Sequence, residues 1–484
     1  MAHNVALSGR LVPPPSFLDY EVGLRMRARL LKFLLAVALL AAAPAFAAQD
    51  NIYEKTLPNG LKVIVREDHR APTVVQQVWY HVGSIDETTG TTGIAHVLEH
   101  MMFKGTKNVP VGEFSRRIAA AGGRENAFTN SDYTAYFQQL HKSKLELAMR
   151  LESDRMRYLQ LSGAEFDKEI QVVMEERRMR TDDQPRSVLY ESLLATAFVE
   201  HPYHNPVIGW MDDLHHITVD DARHWYESWY APNNATLVVA GDVKAADVFK
   251  LAERYYGPIP SRKLPVRKPL SEPPQAGIKR IVVKAPAELP YLMMAYHAPA
   301  LRDPQNDWKP YALDVLVGVL NGNDSARLDK ALVRDQQIAT EISADYDSTS
   351  RGPSLFMLSG TPSAGKTVAD LEAGLREQIA LLVKNGVSED ELKRVKAQVT
   401  AGEVYKLDSV FYQAMQIGQM ESIGLGYKAI PLRLEKIKAV TAQQVQDVAR
   451  ELLQDDNLSV AVLDPQPISD NRKHSDSGAS NNVR

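Results

Sequence analysis

The chain has 484 residues, of which 44% are hydrophobic and 24% are charged. These values are typical of a globular protein, and the length is sufficient for two or more domains with substantial cores. The formal net charge of −4 gives no reason to expect nucleic acid or an anionic membrane as a partner. The sequence has no cysteine, which excludes disulfides, thiolate metal ligands and a lipid anchor on cysteine.

The N-terminal segment, residues 1–47, has the three-part pattern of a secretory signal peptide. Basic residues precede an apolar run from Phe33 to Ala43, which is too short for an ordinary membrane span. Small residues at the cleavage positions predict that the mature chain begins near Ala48, in the periplasm or outside the cell. Met26 is an alternative start that would give a signal peptide of normal length.

The stretch from His96 to His100 contains two histidines four residues apart, with Glu99 directly before the second. Residues at this spacing share one face of a helix, so both imidazoles can hold one Zn²⁺ at ~2.0–2.1 Å. The adjacent carboxylate can activate water for hydrolysis. The order H-x-x-E-H is the inverse of the common H-E-x-x-H zinc protease motif. We therefore expect His96 and His100 to be metal ligands and Glu99 to be catalytic, and a third protein ligand is needed.

The best candidates for that ligand follow Ser162 and Glu165, which have the spacing of a capping box and predict the start of a helix. Glu169 and Glu176 are seven residues apart on this helix and therefore share a face. One could bind the metal while the other orients a ligand or the water. The alternative is a solvated acidic face balanced by the arginines at the end of the helix.

Strand patterns open both halves of the chain. They cover Leu61–Val65 and Val74–Val82 in the first half, and Ile281–Lys284 and Tyr291–Tyr296 in the second. Long helices follow these strands, so the fold class is predicted to be α+β. A segment rich in proline, residues 261–276, reads as an extended linker between the halves.

The two halves also resemble each other. Thr218 leads through a predicted helix to Asn234 and an apolar strand, and Thr441 leads in the same way to Asn457. The matching residues keep one constant offset, which indicates an internal duplication. We therefore divide the chain into a catalytic domain (48–260), the linker (261–276), a homologous non-catalytic domain (277–464) and a disordered tail (465–484).

The segment from Gly93 to Thr106 resembles the zinc site of the pitrilysin family of metallopeptidases, the inverzincins. This family includes insulin-degrading enzyme and the mitochondrial processing peptidase. The resemblance implies one Zn²⁺ per chain, with Glu176 as its third ligand, and Glu169 as a catalytic residue that does not hold the metal. Glu175 is the rival ligand, although its spacing from Glu169 fits a shared helical face less well.

The segment from Gly122 to Tyr136 also resembles the family, in which it forms an edge strand that pairs with an extended peptide substrate. The unpaired backbone groups of an edge can bind a peptide regardless of its side chains. The resemblance assigns substrate binding to Asn126, Ala127 and Thr129. The alternative is a glycine turn followed by an ordinary polar strand.

The resemblance implies two pitrilysin-type domains, each with a mainly antiparallel sheet packed with helices, that form half of a clam-like chamber. The second domain has no histidine in Pro310–Gly318, where the first has its zinc helix. The implied function is a secreted zinc endopeptidase that hydrolyses unfolded or short peptides. The alternatives are a non-catalytic binding or scaffold subunit and a metal-dependent hydrolase of other substrates.

One departure from the family concerns a partner. Self-sufficient relatives carry an arginine and, seven residues later, a tyrosine that contact the substrate. Arg334 matches the arginine and is a predicted substrate-binding residue, but Glu341, or Thr340 with a gap, stands at the tyrosine position. Tyr346 is a possible replacement. We therefore expect a heterodimer with a paralogous subunit that lacks the zinc motif and supplies the missing pair, or otherwise a homodimer.

Overall fold

The computed structural model describes residues 51–468. The predicted signal peptide and the predicted tail beyond Ile468 lie outside the described residues. Within the described range, no helix combines the length and the apolar character needed to cross a bilayer.

Two β-sheets organise the structure. The first has the strand order β1-β2-β6-β3-β5-β4 and the second the order β7-β11-β8-β10-β9. The strands are β1 Ile52–Thr56, β2 Lys62–Glu67, β3 Thr73–Tyr80, β4 Arg124–Thr129, β5 Thr134–His141, β6 Ala235–Gly241, β7 Lys279–Pro286, β8 Tyr291–Ala298, β9 Ala339–Tyr346, β10 Ser354–Pro362 and β11 Leu458–Gln466. Each sheet has one parallel pair, β2 with β6 and β7 with β11, among antiparallel neighbours.

The helices are divided between the two halves. The first half contains α1 Ile94–Met101, α2 Glu113–Ala120, α3 Leu145–Tyr158, α4 Gly163–Arg177, α5 Pro185–Ala197, α6 Met211–His216, α7 Val219–Trp229 and α8 Ala245–Tyr255. The second contains α9 Lys309–Asn321, α10 Val368–Asn385, α11 Glu389–Lys406, α12 Val410–Ser422, α13 Ala429–Ala439 and α14 Ala442–Leu452. The five strands β2-β6-β3-β5-β4 of the first sheet correspond in order to β7-β11-β8-β10-β9 of the second, and β1 is an additional edge strand. Helices packed with two such sheets confirm the predicted α+β class.

The repeated segments have the same local structure in both halves. Thr218 caps α7 and Thr441 caps α14, each in a capping box with the residue three positions later. The side chain of Asn234 donates a hydrogen bond to the last carbonyl of α7 at 2.9 Å, and that of Asn457 donates to the last carbonyl of α14 at 3.0 Å. These amides satisfy helix-terminal carbonyls that have no partner within the helix. The strand after the second repeat, β11, continues to Gln466, two residues beyond the predicted end of its domain.

One helix of each half packs on the sheet of the other half. Helix α12 packs across β3 and β6, where Gly418 lies directly against the ring of Trp79. Helix α5 packs across β7 and β11, where Leu189 and Leu193 join an apolar cluster with Ala461. The opposite face of each sheet is covered by helices of its own half. The exchange of α5 and α12 therefore joins the two halves through buried apolar surface.

The linker, residues 261–276, contains no helix or strand and is held against the first half at several points, among them the hydrogen bonds of Arg262 with Asn233 and those of Arg267 and Glu272. Arg267 pairs with Asp86 at 2.6 Å and its guanidinium lies over the ring of Trp229. The carboxylate of Glu272 accepts three successive backbone N–H groups, those of residues 199–201.

Candidate metal centre

The helix that carries both histidines, α1, begins at a glycine in close contact with a neighbouring loop. Gly93 has φ of +90°, and a Cβ atom there would lie 2.6 Å from the carbonyl oxygen of Ile208. Only glycine fits this conformation and this contact. The buried carboxylate of Glu87 accepts the N–H groups of Gly93 and Ala95 at 2.8 and 2.9 Å. Glu87 therefore satisfies two of the free donors at the start of α1 and fixes the position of the helix.

Three of the predicted residues meet between α1 and α4. Nε2 of His96 lies 3.8 Å from Oε1 of Glu176, and Nε2 of His100 lies 3.2 Å from Oε2 of the same residue. One ligand atom from each side chain falls within 4.8 Å of the others. Ligand atoms bound tetrahedrally to Zn²⁺ at ~2.0–2.1 Å are about 3.4 Å apart. The spacing and the donor set of two imidazoles and one carboxylate both fit zinc.

The protonation of the histidines also suits a metal. Burial lowers the pKa of His96 to about 3, so its imidazole is neutral near neutral pH, which is the form that binds metal ions. Nδ1 of His100 lies 3.0 Å from Oε1 of Glu169. Because an ionised carboxylate can only accept, Nδ1 is the donor and Nε2 is left free to face Glu176. Lys104 forms an ion pair with the other oxygen of Glu169.

The predicted base, Glu99, connects α1 to strand β4. The hydroxyl of Thr129, the last residue of β4, donates a hydrogen bond to Oε2 of Glu99 at 2.6 Å. Burial raises the pKa of Glu99 above its usual range, and the hydrogen bond from Thr129 opposes that shift. A raised pKa favours proton uptake from water, which is the task of a general base.

Among the described residues, strand β4 forms an edge of the first sheet and pairs only with β5. It carries all three of the residues predicted to bind substrate in the first half, Asn126, Ala127 and Thr129. The side-chain oxygen of Asn126 accepts the N–H of Ala127 at 2.9 Å. The outer side of β4 is thus an unpaired strand edge, and β4 contacts α1, the helix that carries the histidines.

The structure separates the two rival glutamates on α4. The side chain of Glu175 is 61% exposed and pairs with Arg178, whereas that of Glu176 is 17% exposed and faces the histidines. Glu176 also forms an ion pair with Arg180 at 2.5 Å. Sequence reasoning did not assign Arg180 or Lys104 to the centre, although the i,i+4 spacing of Glu176 and Arg180 is a usable signal.

Arg334 is not part of this cluster. It lies in the second half, in a π-helical segment, Asp329–Asp335, and it is exposed. Within residues 51–468 it forms no hydrogen bond or ion pair with the histidines or the glutamates of the centre.

Two imidazoles and a glutamate around one point, with a second glutamate beside them, define the donor arrangement of an inverted-motif zinc peptidase. The family model described as Insulinase (Peptidase family M16) matches residues 62–210, and the model described as Peptidase M16 inactive domain matches residues 216–399. The chain belongs to this family, the pitrilysin family of zinc peptidases, and the predicted family is confirmed.

Three relatives show the extent of the similarity. The zinc protease PqqE of Helicobacter pylori is 34% identical over 388 residues, which cover 78% of this chain and 85% of that protein. The beta subunit of the mitochondrial processing peptidase of Lentinula edodes is 25% identical over 428 residues, which cover 84% of this chain and 89% of that protein. The crystal structure of a protease from Helicobacter pylori has a TM-score of 0.81 and 29% identity, and covers 86% of this chain and 100% of that chain.

Proposed function

We propose that this chain is a zinc-dependent endopeptidase that hydrolyses unfolded or short peptides and forms half of a closed chamber. One observation carries the proposal: the cluster of His96, His100 and Glu176 lies beside Glu99, which is hydrogen-bonded to the end of an exposed strand edge. The similarity to a zinc protease over most of the chain supports the same activity.

Each residue has a distinct role in this proposal. A Zn²⁺ ion held by His96, His100 and Glu176 would supply a Lewis acid that activates water and polarises the peptide carbonyl. Glu99 takes the proton of the attacking water and returns it to the leaving amine. Glu169 keeps the ring of His100 in the orientation that leaves Nε2 free.

The substrate is held by backbone pairing along β4. An extended peptide can add to this edge as a further strand, which explains why unfolded chains are the proposed substrates. The peptide would replace the hydrogen bond that Asn126 makes to the N–H of Ala127. Because the hydroxyl of Thr129 binds Glu99, the end of the bound segment lies next to the base.

The test is hydrolysis of an unstructured peptide by the purified chain, with and without a chelator. We expect cleavage that the chelator abolishes and added zinc restores. Glu99→Gln should lower kcat by about 10²–10⁴-fold and retain zinc, because the side chain moves a proton and is not a ligand. His96→Ala is the control that should lose the metal. A zinc-loaded wild-type chain without activity would favour the non-catalytic subunit.

We also propose that the chain works as a heterodimer with a paralogous subunit that lacks the zinc motif, with a homodimer as the alternative. At the position of the family's tyrosine, Glu341 pairs with Arg186 at 2.6 Å. The hydroxyl of Tyr346 donates to a backbone carbonyl of its own half, so it is not free to act on a substrate. Arg334 remains exposed and is proposed to bind substrate. One relative is itself named as a subunit.

The partner proposal is tested by the mass of the purified chain in solution and by its peptide turnover with and without a co-expressed paralogue. Full activity of the lone chain, unimproved by any paralogue, would refute it.

We further propose that the mature protein begins near Ala48 and is periplasmic or secreted, from the signal-peptide pattern of residues 1–47. N-terminal sequencing of exported material would test this. A cytoplasmic chain that keeps residues 1–47 would contradict it.

A further inference from the structure

A buried carboxylate, Asp86, joins three parts of the molecule. It ends a short 3-10 turn, Ser84–Asp86, and directly precedes Glu87, which caps α1. Its oxygens bind Arg267 of the linker and Arg351 of the second half, the latter at 2.8 and 3.2 Å. Its side chain is only 4% exposed, and the ion pair with Arg351, which is 18% exposed, is better shielded from solvent than the pair with Arg267, which is 36% exposed.

Arg351 also holds the turn between β4 and β5. Its guanidinium donates to the backbone carbonyl of Asp132 at 3.2 Å, and its own N–H donates to Oδ2 of Asp132 at 3.0 Å. The hydroxyl of Tyr203 donates to the other oxygen of Asp132 at 2.5 Å and accepts the N–H of Gly352 at 2.8 Å. One arginine of the non-catalytic half therefore contacts two separate turns of the catalytic half.

The loop that carries Arg351 is fixed on its own side. It connects β9 to β10, and Arg302 donates to the carbonyls of Ser350 and Gly352 at 2.5 and 2.6 Å. A Cβ atom on Gly352 would lie 2.3 Å from the ring of His201, so the loop is packed closely against the first half. The loop that carries Arg351 is therefore held in place by hydrogen bonds and close packing.

Each turn lies next in sequence to a residue that hydrogen-bonds with α1, the helix of the candidate metal centre. The turn at Asp86 continues into Glu87, whose carboxylate binds the first N–H groups of α1. The turn at Asp132 follows Thr129, whose hydroxyl binds Glu99. The two turns are also bonded to each other, because the N–H of Ile85 donates to the carbonyl of Ser131 at 2.9 Å.

We propose that Arg351 is a positioning residue that aligns α1 with the edge strand β4, and so places Glu99 between the metal ligands and the substrate. The inference rests on the proposed peptidase function. Catalysis in the first half then depends on a side chain of the half that has no zinc motif. Because small displacements of reacting groups are costly, loss of this contact should lower turnover by about 10-fold or more.

The test compares Arg351→Ala and Arg351→Lys with the control Arg327→Ala. Arg327 also belongs to the second half, is 22% exposed against 18% for Arg351, and forms a two-bond ion pair with Glu391. Its partner, Glu391, also belongs to the second half, so this ion pair does not join the two halves. Four quantities are measured for each variant: kcat, KM, zinc content and hydrogen exchange over residues 93–101.

In Arg351→Ala we expect kcat to fall about 10-fold or more, zinc content to stay near that of the wild type, and exchange at the start of α1 to accelerate. Arg351→Lys keeps the charge but not the paired hydrogen bonds, so its kcat should be intermediate. Arg327→Ala should change none of these quantities. Equal kcat per bound zinc and equal exchange in the Arg351 and Arg327 variants would overturn the proposal.

Two further outcomes are distinguishable. If Arg351→Ala does not fold, Arg351→Lys carries the same comparison. If the wild-type chain cleaves no peptide, the proposed function fails, but hydrogen exchange in α1 still tests whether Arg351 holds this helix. Unchanged exchange in that case would refute the positioning role as well.

Discussion

The packing of α1 on α4 and of α9 on α11 gives two versions of one arrangement. In each half the first helix follows a central strand, and the second begins after a serine whose hydroxyl accepts the N–H three residues later. Between α1 and α4 lie two imidazoles and two carboxylates. Between α9 and α11 a Cβ atom on Gly318 would lie 2.5 Å from Val395, so the two helices there are in direct apolar contact.

This difference shows where the chemistry of the fold resides. Polar groups in a helix interface weaken its packing unless they are paired, and the two carboxylates between α1 and α4 are paired with lysine, arginine and histidine. The second half keeps the same scaffold and fills the interface with apolar side chains. The sheet and helices therefore set positions, and a few side chains at one helix interface form the candidate metal centre.

The largest effect should come from replacing Glu176, a predicted metal ligand at the interface between α1 and α4. Glu176→Gln should lower zinc affinity by more than the ~10–100-fold typical of losing an outer partner, because a direct metal contact is lost. Glu175→Gln is the matched control and should bind zinc normally, since its side chain points to solvent. Zinc titration against a competing chelator measures both, and the reverse order would make Glu175 the ligand.

A smaller effect should follow from replacing Glu169, whose carboxylate contacts Nδ1 of His100. Glu169→Gln should reduce turnover about 10-fold and zinc content less, because the amide still meets Nδ1 of His100 but no longer carries charge. Steady-state kinetics and metal analysis on the same preparation separate the two quantities. A fully active variant would show that Glu169 has no part in the site.

In the apolar interface, the expected effect is on stability and not on turnover. Gly318→Ala should destabilise the fold by about 1–3 kcal/mol because the new methyl group collides with Val395. Adding Val395→Ala should restore part of that loss. Gly402→Ala on α11 is the control: its Cβ meets no atom within 4 Å, so it should stabilise the helix by up to ~1 kcal/mol. Denaturant unfolding measures all three variants.

The smallest effect concerns the contact between the halves at Asp68, which binds Arg70 and the side chain of Gln413 on α12. The hydrogen bond from Arg70 lowers the pKa of Asp68 to about 2. A lowered pKa stabilises the fold above the unfolded value of about 4, and this contribution is lost as the pH falls towards about 2.

Asp68→Asn should therefore cost at most ~1 kcal/mol at pH 7, and the difference from the wild type should shrink below about pH 4. Asp247→Asn, at an exposed site on α8, is the control. A cost that is independent of pH would show that the charge of Asp68 does not stabilise the fold.

Local patterns were sufficient to predict much of the fold. The histidine spacing defines one helix, the cap at Ser162 was predicted and found, and the repeated threonines and asparagines indicated the duplication. Boundaries were less accurate: β7 extends from Lys279 to Pro286, beyond the predicted Ile281–Lys284, because pairing with β11 continues along all eight residues. The capping box at Ser162 is also incomplete, since Glu165 pairs with Lys168 and does not return a hydrogen bond.

Contacts between distant segments could not be predicted. Glu87 caps α1 from six residues before Gly93, a spacing that no helix-capping pattern contains. The packing of α5 and α12 on the sheets of the opposite halves could not be predicted for a related reason. An apolar face on a helix shows that the face is buried, but not which of two similar sheets covers it.

This exchange determines when the protein can complete its fold during synthesis. The outer face of the first sheet, including the ring of Trp79, remains uncovered until Val410–Ser422 has been made, although the last strand of that sheet ends at Gly241. A nascent chain therefore carries an uncovered apolar face through much of its elongation. The half with the candidate metal centre gains the cover of its sheet from the other half, and two fragments separated at the linker would each expose the sheet face that α5 or α12 of the other fragment covers.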